Sequence, residues 1–219
     1  MTNTRKHFND ELEELNNRVD AMGQEVLESY KRLVIACEDN DIDLAHHIMD
    51  HDKIVNGLEE SINVDAYLLI AKQCPVASDL RQIISAVKIS NDLERIADYA
   101  VNIAKYLVKT KNDNDQFVKR VVNLTNLFIP MLKEIVQAFK ERNVEAALKV
   151  SKSDEEIDAT YKKYVKEFIR VAKAKTDEEA EEAMRVILVL KQIERAGDHV
   201  TNIAENIVYL VNAKRLELD

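Results

Sequence analysis

The carboxylates with the most regular spacing lie in two short motifs, one in each half of the chain. Glu94 and Asp98 are four residues apart, and Glu194 and Asp198 repeat that spacing. On a helix, side chains four residues apart share a face, so the two negative charges of each pair repel each other. A positive charge nearby would relieve this repulsion. It could come from the arginine that follows each glutamate, from a lysine of a neighbouring helix, or from a bound metal ion, because hard and borderline metal ions take carboxylate oxygens as ligands.

Two other segments carry acidic or amide side chains at the same spacing, namely Asp52/Asn56 and Asp154/Asp158. If each half of the chain folds as an antiparallel bundle, these pairs can face the two motifs and complete a carboxylate-lined metal site. The second half is richer, with four carboxylates against three. The alternative interpretation is a solvated acidic face, which is what most single pairs of this kind are.

The two motifs belong to a longer internal repeat. At an offset of 100, residues 93–108 and 193–208 are identical at seven of sixteen positions, where about one match is expected by chance. The segments 41–45 and 143–147 match more weakly at an offset of 102. Nearly equal offsets in successive helices indicate a duplicated three-helix unit.

Helical periodicity runs almost from end to end. The chain has only 3 Gly and 2 Pro in 219 residues, and 32% of its side chains are charged, a composition typical of long helices. Capping residues and Pro75 interrupt the pattern, and Pro130 should kink one helix or mark its late start. We predict an all-α fold of six helices over 4–38, 41–73, 76–110, 116–141, 144–174 and 177–215, with one repeat in 1–112 and the other in 113–219.

The apolar residues of the third helix share one arc and predict its packing face: Leu93, Ile96, Ala97, Ala100, Ile103, Ala104 and Leu107. Cys37 and Cys74 lie in apolar helical contexts, so we expect ordinary reduced core residues. We place His47 and His51 on an exposed face and His199 at the edge of the packing face.

Charge and composition exclude several classes of function. The net charge is −9, which argues against nucleic-acid binding. The purest apolar run, 186–190, is far short of the roughly 20 residues of a membrane span, so we expect a cytoplasmic chain without membrane insertion. Three glycines cannot build a phosphate-binding loop, and no nucleophile motif is present. The sequence therefore predicts no enzyme and no organic cofactor.

The motifs at 93–104 and 194–205 resemble those of the PhoU family of phosphate-transport regulators, and the segment PVASDLR at 75–81 is similar to the family's helix-opening segment. The resemblance covers essentially the whole chain and implies two three-helix bundles related by a pseudo-twofold axis. It also implies a cytoplasmic homodimer that acts at the inner face of the membrane. Its partners would be the nucleotide-binding subunit of the phosphate ABC transporter and a phosphate-sensing histidine kinase, and it would restrain phosphate uptake and the starvation response.

The resemblance further implies carboxylate-bound iron or zinc. Carried over by position, the ligands are Glu94, Asp98, Glu194 and Asp198, with Asp52, Asp154 and Asp158 contributed by the preceding helices. Asn56 departs from a carboxylate in the first half. Candidate partner-binding residues are Asp79, Arg81, Arg95 and Arg195. Two alternatives remain open at this point: an accessory protein of a low-affinity phosphate transporter, and a metal-storage helical bundle.

Overall fold

The computed structural model describes residues 2–110, 115–172 and 176–218, and these residues form six helices without a strand. The helices are α1 (Thr2–Asp39), α2 (Ile42–Gln73), α3 (Ala77–Thr110), α4 (Asp115–Glu141), α5 (Val144–Ala172) and α6 (Asp177–Asn212). The all-α prediction is confirmed, and the described helix ends lie within a few residues of the predicted ones. The predicted repeat boundary at 112/113 and the predicted end of the fifth helix at 174 lie outside the described residues.

Helices α2, α5 and α6 begin where a capping side chain accepts a hydrogen bond from an otherwise unpaired backbone N–H group. Asp41 accepts a hydrogen bond from the backbone N–H of Leu44 at 2.8 Å. Asn143 accepts one from the backbone N–H of Ala146 at 3.0 Å. Thr176 opens α6 with a reciprocal capping box, as its sequence predicts. These short-range hydrogen bonds explain why the helices could be delimited from the sequence.

Each repeat is a three-helix bundle. Helices α1, α2 and α3 pack on one another, and α4, α5 and α6 do the same. The bundles meet where α1 contacts α4 and α3 contacts α6, so α2 and α5 lie on opposite outer sides. Within the described residues, no helix combines the length and the apolar character that a membrane span needs.

Aromatic and small residues join the two bundles at their centre. Tyr30 of α1 packs against Phe128 of α4 with ring centroids 4.6 Å apart, and its hydroxyl donates to the backbone oxygen of Ile96 at 3.0 Å. A Cβ at Gly23 would lie 2.8 Å from a methyl carbon of Val136, so glycine permits the close approach of α1 to α4. The predicted packing face of α3 is buried in full.

Equivalent positions of the two repeats contact each other between α3 and α6. The hydroxyl of Tyr99 lies 3.3 Å from Nε2 of His199, at an offset of 100 residues. The other ring nitrogen of His199 lies 2.8 Å from a carboxylate oxygen of Asp92. The pseudo-twofold axis therefore passes between these helices. His199 does lie at the edge of the packing face, and there it links the two bundles.

Two predictions about single residues are wrong. Cys37 is buried, but Cys74 is exposed, because it caps the end of α2 in the left-handed conformation (φ 45°) ahead of Pro75. His51 is only 17% exposed, since its ring hydrogen-bonds with Glu25 of α1 at 2.8 Å. His47 is exposed as expected.

Candidate functional site

Four carboxylates of the second repeat form one group between α5 and α6, which we call the second cluster: Asp154, Asp158, Glu194 and Asp198. Asp154 and Asp158 are one turn apart on α5 and face the motif of α6. Asp154, Asp158 and Asp198 line a cavity of about 300 Å³, which Leu218 of the C-terminal segment borders. The structure thus brings together the four residues that the sequence assigned to this site.

Asp154 lies closest to the neighbouring helix. A Cβ built on Gly197 of α6 would lie 2.1 Å from Oδ1 of Asp154, so the carboxylate occupies the space that a side chain would fill. This oxygen is buried and has no hydrogen-bond partner. Burial, and then the charges of Asp198, Asp158 and Glu194, raise the pKa of Asp154 to about 7.

Glu194 is the most buried member of the second cluster, at 7% exposure. One of its oxygens accepts a hydrogen bond from Lys191, and the other, Oε2, is buried without a hydrogen-bond partner. Burial raises the pKa of Glu194, while the Lys191 ammonium opposes that rise. On α5, the ammonium of Lys162 donates to Asp158 at 2.6 Å. Two lysines therefore neutralise part of the charge.

The first repeat places Asp52 of α2 opposite Glu94 and Asp98 of α3; these three residues are the first cluster. Asn56 donates a hydrogen bond to Asp52 Oδ2 at 3.0 Å, while Asp52 Oδ1 is buried without a partner. Burial, together with the charge of Asp98, raises the pKa of both Asp52 and Glu94. Arg95 lies 3.4 Å from Glu94 and 3.5 Å from Asp98.

One acidic neighbour of the first cluster escaped the sequence analysis. Glu59 of α2 contributes to the raised pKa of Glu94. It follows Asp52 by seven residues and hence lies on the same helix face, which is the signal that would have identified it. Comparison of the two repeats does not identify Glu59, because Tyr161 occupies the equivalent position of the second repeat.

The four candidate partner-binding residues differ in accessibility. Asp79 is only 6% exposed and forms a salt bridge with Arg5 at 2.8 Å, which holds the start of α1 against the start of α3. Arg81 is half-buried, whereas Arg95 and Arg195 are exposed. The two motif arginines are therefore the ones that present most of their surface to a partner.

The two clusters contain carboxylate oxygens, which can act as ligands of a metal ion, but the side chains are not arranged around one point. Three carboxylates of the two clusters, Asp52, Asp154 and Glu194, each have a buried oxygen without a hydrogen-bond partner, and such oxygens are suitable donors to a cation. As the side chains stand, no three His, Cys, Asp or Glu residues in the described ranges are arranged to hold a metal ion. A metal ion at either cluster would therefore require side-chain rotations that bring the oxygens together.

Comparison with known proteins identifies relatives over nearly the full length. The chain is 34% identical over 218 residues to a protein of Clostridium acetobutylicum named as a phosphate-specific transport system accessory protein PhoU homolog, with 99% of each chain covered. A Rhizobium meliloti protein of the same name is 33% identical, with 93% of this chain and 86% of that protein covered.

Solved structures agree with the fold. The crystal structure of PhoU from Pseudomonas aeruginosa matches with a TM-score of 0.88 and 32% identity, covering 94% of this chain and 100% of that one. The phosphate transport system regulatory protein PhoU from Streptococcus pneumoniae matches with a TM-score of 0.87 and 28% identity, covering 96% and 100%. The PhoU domain matches twice, over residues 19–107 and 121–207, and the chain therefore belongs to the PhoU family.

Proposed function

We propose that this protein is the accessory regulator of a phosphate-specific ABC transporter. In this role it restrains phosphate uptake and keeps the starvation response off when phosphate is plentiful. The observation that carries the proposal is the full-length similarity to proteins named for that transport system, at 34% identity over 218 residues. The chain would act as a cytoplasmic homodimer at the inner face of the membrane.

In the proposed mechanism the protein works as an adaptor and not as a catalyst. Its two bundles share a continuous core, which provides a rigid scaffold with α2 and α5 on opposite outer sides. Two outer surfaces of this kind suit simultaneous contact with two proteins. The partners in this proposal are the nucleotide-binding subunit of the transporter and the phosphate-sensing histidine kinase.

The second cluster is the proposed site for iron or zinc. Asp154 and Asp158 would hold the ion from α5, and Glu194 and Asp198 would hold it from α6. A bound cation supplies positive charge that offsets the mutual repulsion of these carboxylates and links the two helices. Glu194 Oε2 and Asp154 Oδ1, both buried without partners, support this assignment. The first cluster would be a second site, with weaker neutralisation of its charge.

A phosphate-starvation reporter in phosphate-rich medium tests the regulatory role. Deletion of the gene should switch the reporter on, and the native chain should switch it off again. A chain carrying E94Q, D98N, E194Q and D198N together should fail to do so. If deletion leaves the reporter unchanged, the proposal is wrong and the low-affinity-transporter alternative is favoured.

Two further measurements separate the partners from the metal. A pull-down with the native chain from phosphate-rich cells should recover the transporter subunit and the kinase, and recovery of neither would contradict the adaptor mechanism. Stoichiometric oxidation of added Fe(II) by the purified chain would instead support the metal-storage alternative. A fully active quadruple variant would show that the carboxylates are ordinary solvated surface.

A further inference from the structure

Gly197 lies in the interior of α6 at the point where Asp154 of α5 meets that helix. We infer that Gly197 is a positioning residue that seats the Asp154 carboxylate for cation binding in the second cluster. The inference rests on the metal site proposed above, and it assigns a role to a residue that has no ligand atom of its own.

The backbone at Gly197 does not require glycine. No glycine of the chain has a positive φ, so conformational freedom is not the reason for glycine here. Glycine in a helix interior is less favourable than alanine. Space explains the choice, because an added Cβ would lie 2.1 Å from Oδ1 and 3.2 Å from the carboxyl carbon of Asp154.

The Asp154 carboxylate has an oxygen that no hydrogen-bond donor in the described residues uses. Oδ1 of Asp154 and Oε2 of Glu194 are both buried, and neither has a hydrogen-bond partner. Glu194 as a whole is only 7% exposed. Asp154 also shares the cavity of about 300 Å³ with Asp158 and Asp198. A methyl group at residue 197 would push the Asp154 carboxylate away from α6 and out of this arrangement.

The other glycines and the first repeat provide the contrast. A Cβ at Gly57 would meet no atom within 4 Å, and one at Gly23 would meet only the side chain of Val136. At the position equivalent to Gly197, the first repeat has Ala97, which is 3% exposed. Close contact between an aspartate carboxylate and a glycine of the next helix is therefore a feature of the second repeat.

Thermal unfolding without metal tests whether the Asp154 carboxylate occupies the space beside Gly197. We expect G197A to raise the Tm of the native chain by less than the control G57A, which should raise it by about 2–4 °C, as the helix preference for alanine gives a chain of this size. In a D154A chain, where no carboxylate has to move, G197A should raise the Tm as much as G57A does. If G197A alone does not fold, D154A should restore folding. An equal rise for G197A and G57A in the native chain, or no recovery with D154A, overturns the inference.

Zinc binding tests the positioning role. Calorimetric titration with Zn²⁺ would use a chain carrying E94Q and D98N, in which the second cluster is intact. We expect G197A to weaken Zn²⁺ binding at least tenfold and G57A to leave it unchanged. Unchanged affinity in G197A would reduce Gly197 to a packing position and overturn the inference. If the E94Q/D98N chain that keeps Gly197 does not bind Zn²⁺, the proposed metal site is refuted. That failure is distinct from failure of the thermal test.

Discussion

The two acidic clusters occupy equivalent positions of the repeat, yet their charge is neutralised differently. In the first cluster one exposed arginine, Arg95, lies near both motif carboxylates of its own helix. In the second cluster two lysines, Lys162 and Lys191, each pair with a different carboxylate, one on α5 and the other on α6. Each lysine pairs with one carboxylate oxygen, whereas Oδ1 of Asp154 and Oε2 of Glu194 are buried without a hydrogen-bond partner. Duplication has therefore preserved the positions of the acids without preserving the environment.

The aspartates that α5 and α2 contribute, Asp154 and Asp52, also differ in their surroundings. Asp154 rests against Gly197 and faces three other carboxylates, and its pKa is about 7. Asp52 has an alanine at that place and uses one oxygen to accept a hydrogen bond from Asn56. Because a cation is bound most strongly where unpartnered carboxylate oxygens converge, we expect the second cluster to dominate metal binding.

The largest expected effect separates the clusters by their response to Zn²⁺. At a concentration 100-fold above its Kd, Zn²⁺ should stabilise the native chain by about 2.7 kcal/mol. The variant E194Q/D198N should lose most of this gain, and the matched variant E94Q/D98N should keep most of it. Urea unfolding with and without Zn²⁺ measures both. A greater loss in E94Q/D98N would reverse the assignment of the dominant site.

Removing Lys191 should cost the next largest amount of stability. K191N introduces the residue found at the equivalent position of the first repeat, Asn91, and leaves the buried Glu194 carboxylate without its ammonium partner. We expect the free energy of unfolding to fall by about 1–3 kcal/mol. The control K162N removes an exposed ion pair, so urea unfolding should show little change. Equal losses in both variants would contradict the proposed importance of burial.

The raised pKa of Asp154 makes stability depend on pH. The ordinary pKa is 3.8 and the folded value is about 7, so between these values the folded carboxyl keeps a proton that the unfolded one has lost. The free energy of unfolding should therefore fall as the pH rises through this window. D154N removes the titrating group and should be more stable than the native chain at pH 8, with the difference vanishing near pH 4. A difference that does not change with pH would refute this explanation.

The smallest expected effect comes from making the first cluster resemble the second. N56D supplies the fourth carboxylate that Asp158 provides in the second repeat. Without metal, repulsion from Asp52 should lower the free energy of unfolding by about 0.2–0.5 kcal/mol. In the E194Q/D198N chain, the same substitution should tighten Zn²⁺ binding at the first cluster. Calorimetry that shows no tightening would indicate that the number of carboxylates does not limit this site.

The helices and the facing acids could be predicted because local signals define them. Asp41 and Thr176 cap their own helices, and the four-residue spacing of Glu194 and Asp198 places both on one face. The offset of about 100 residues located the equivalent acids of the other repeat. Each of these features depends on neighbours in sequence or on the internal repeat, and both are visible without coordinates.

Features that depend on contacts between helices could not be predicted. The role of Gly197 depends on the side chain of Asp154 on another helix, and the burial of His51 depends on Glu25 of α1. Glu59 was overlooked because it has no acidic counterpart in the second repeat. Cys74 was misplaced because apolar neighbours suggested a core position, whereas the residue ends its helix and is exposed. Packing geometry, which decides these cases, is not encoded in spacing along one helix.

The most direct test of the account compares the two matched motif variants in the cell. In a strain that lacks the gene, the phosphate-starvation reporter would be read in phosphate-rich medium with the native chain, E94Q/D98N or E194Q/D198N. We expect the native chain and E94Q/D98N to silence the reporter, and E194Q/D198N to leave it on. Silencing by E194Q/D198N, at the same protein level as the native chain, would contradict the claim that the second cluster is the functional site.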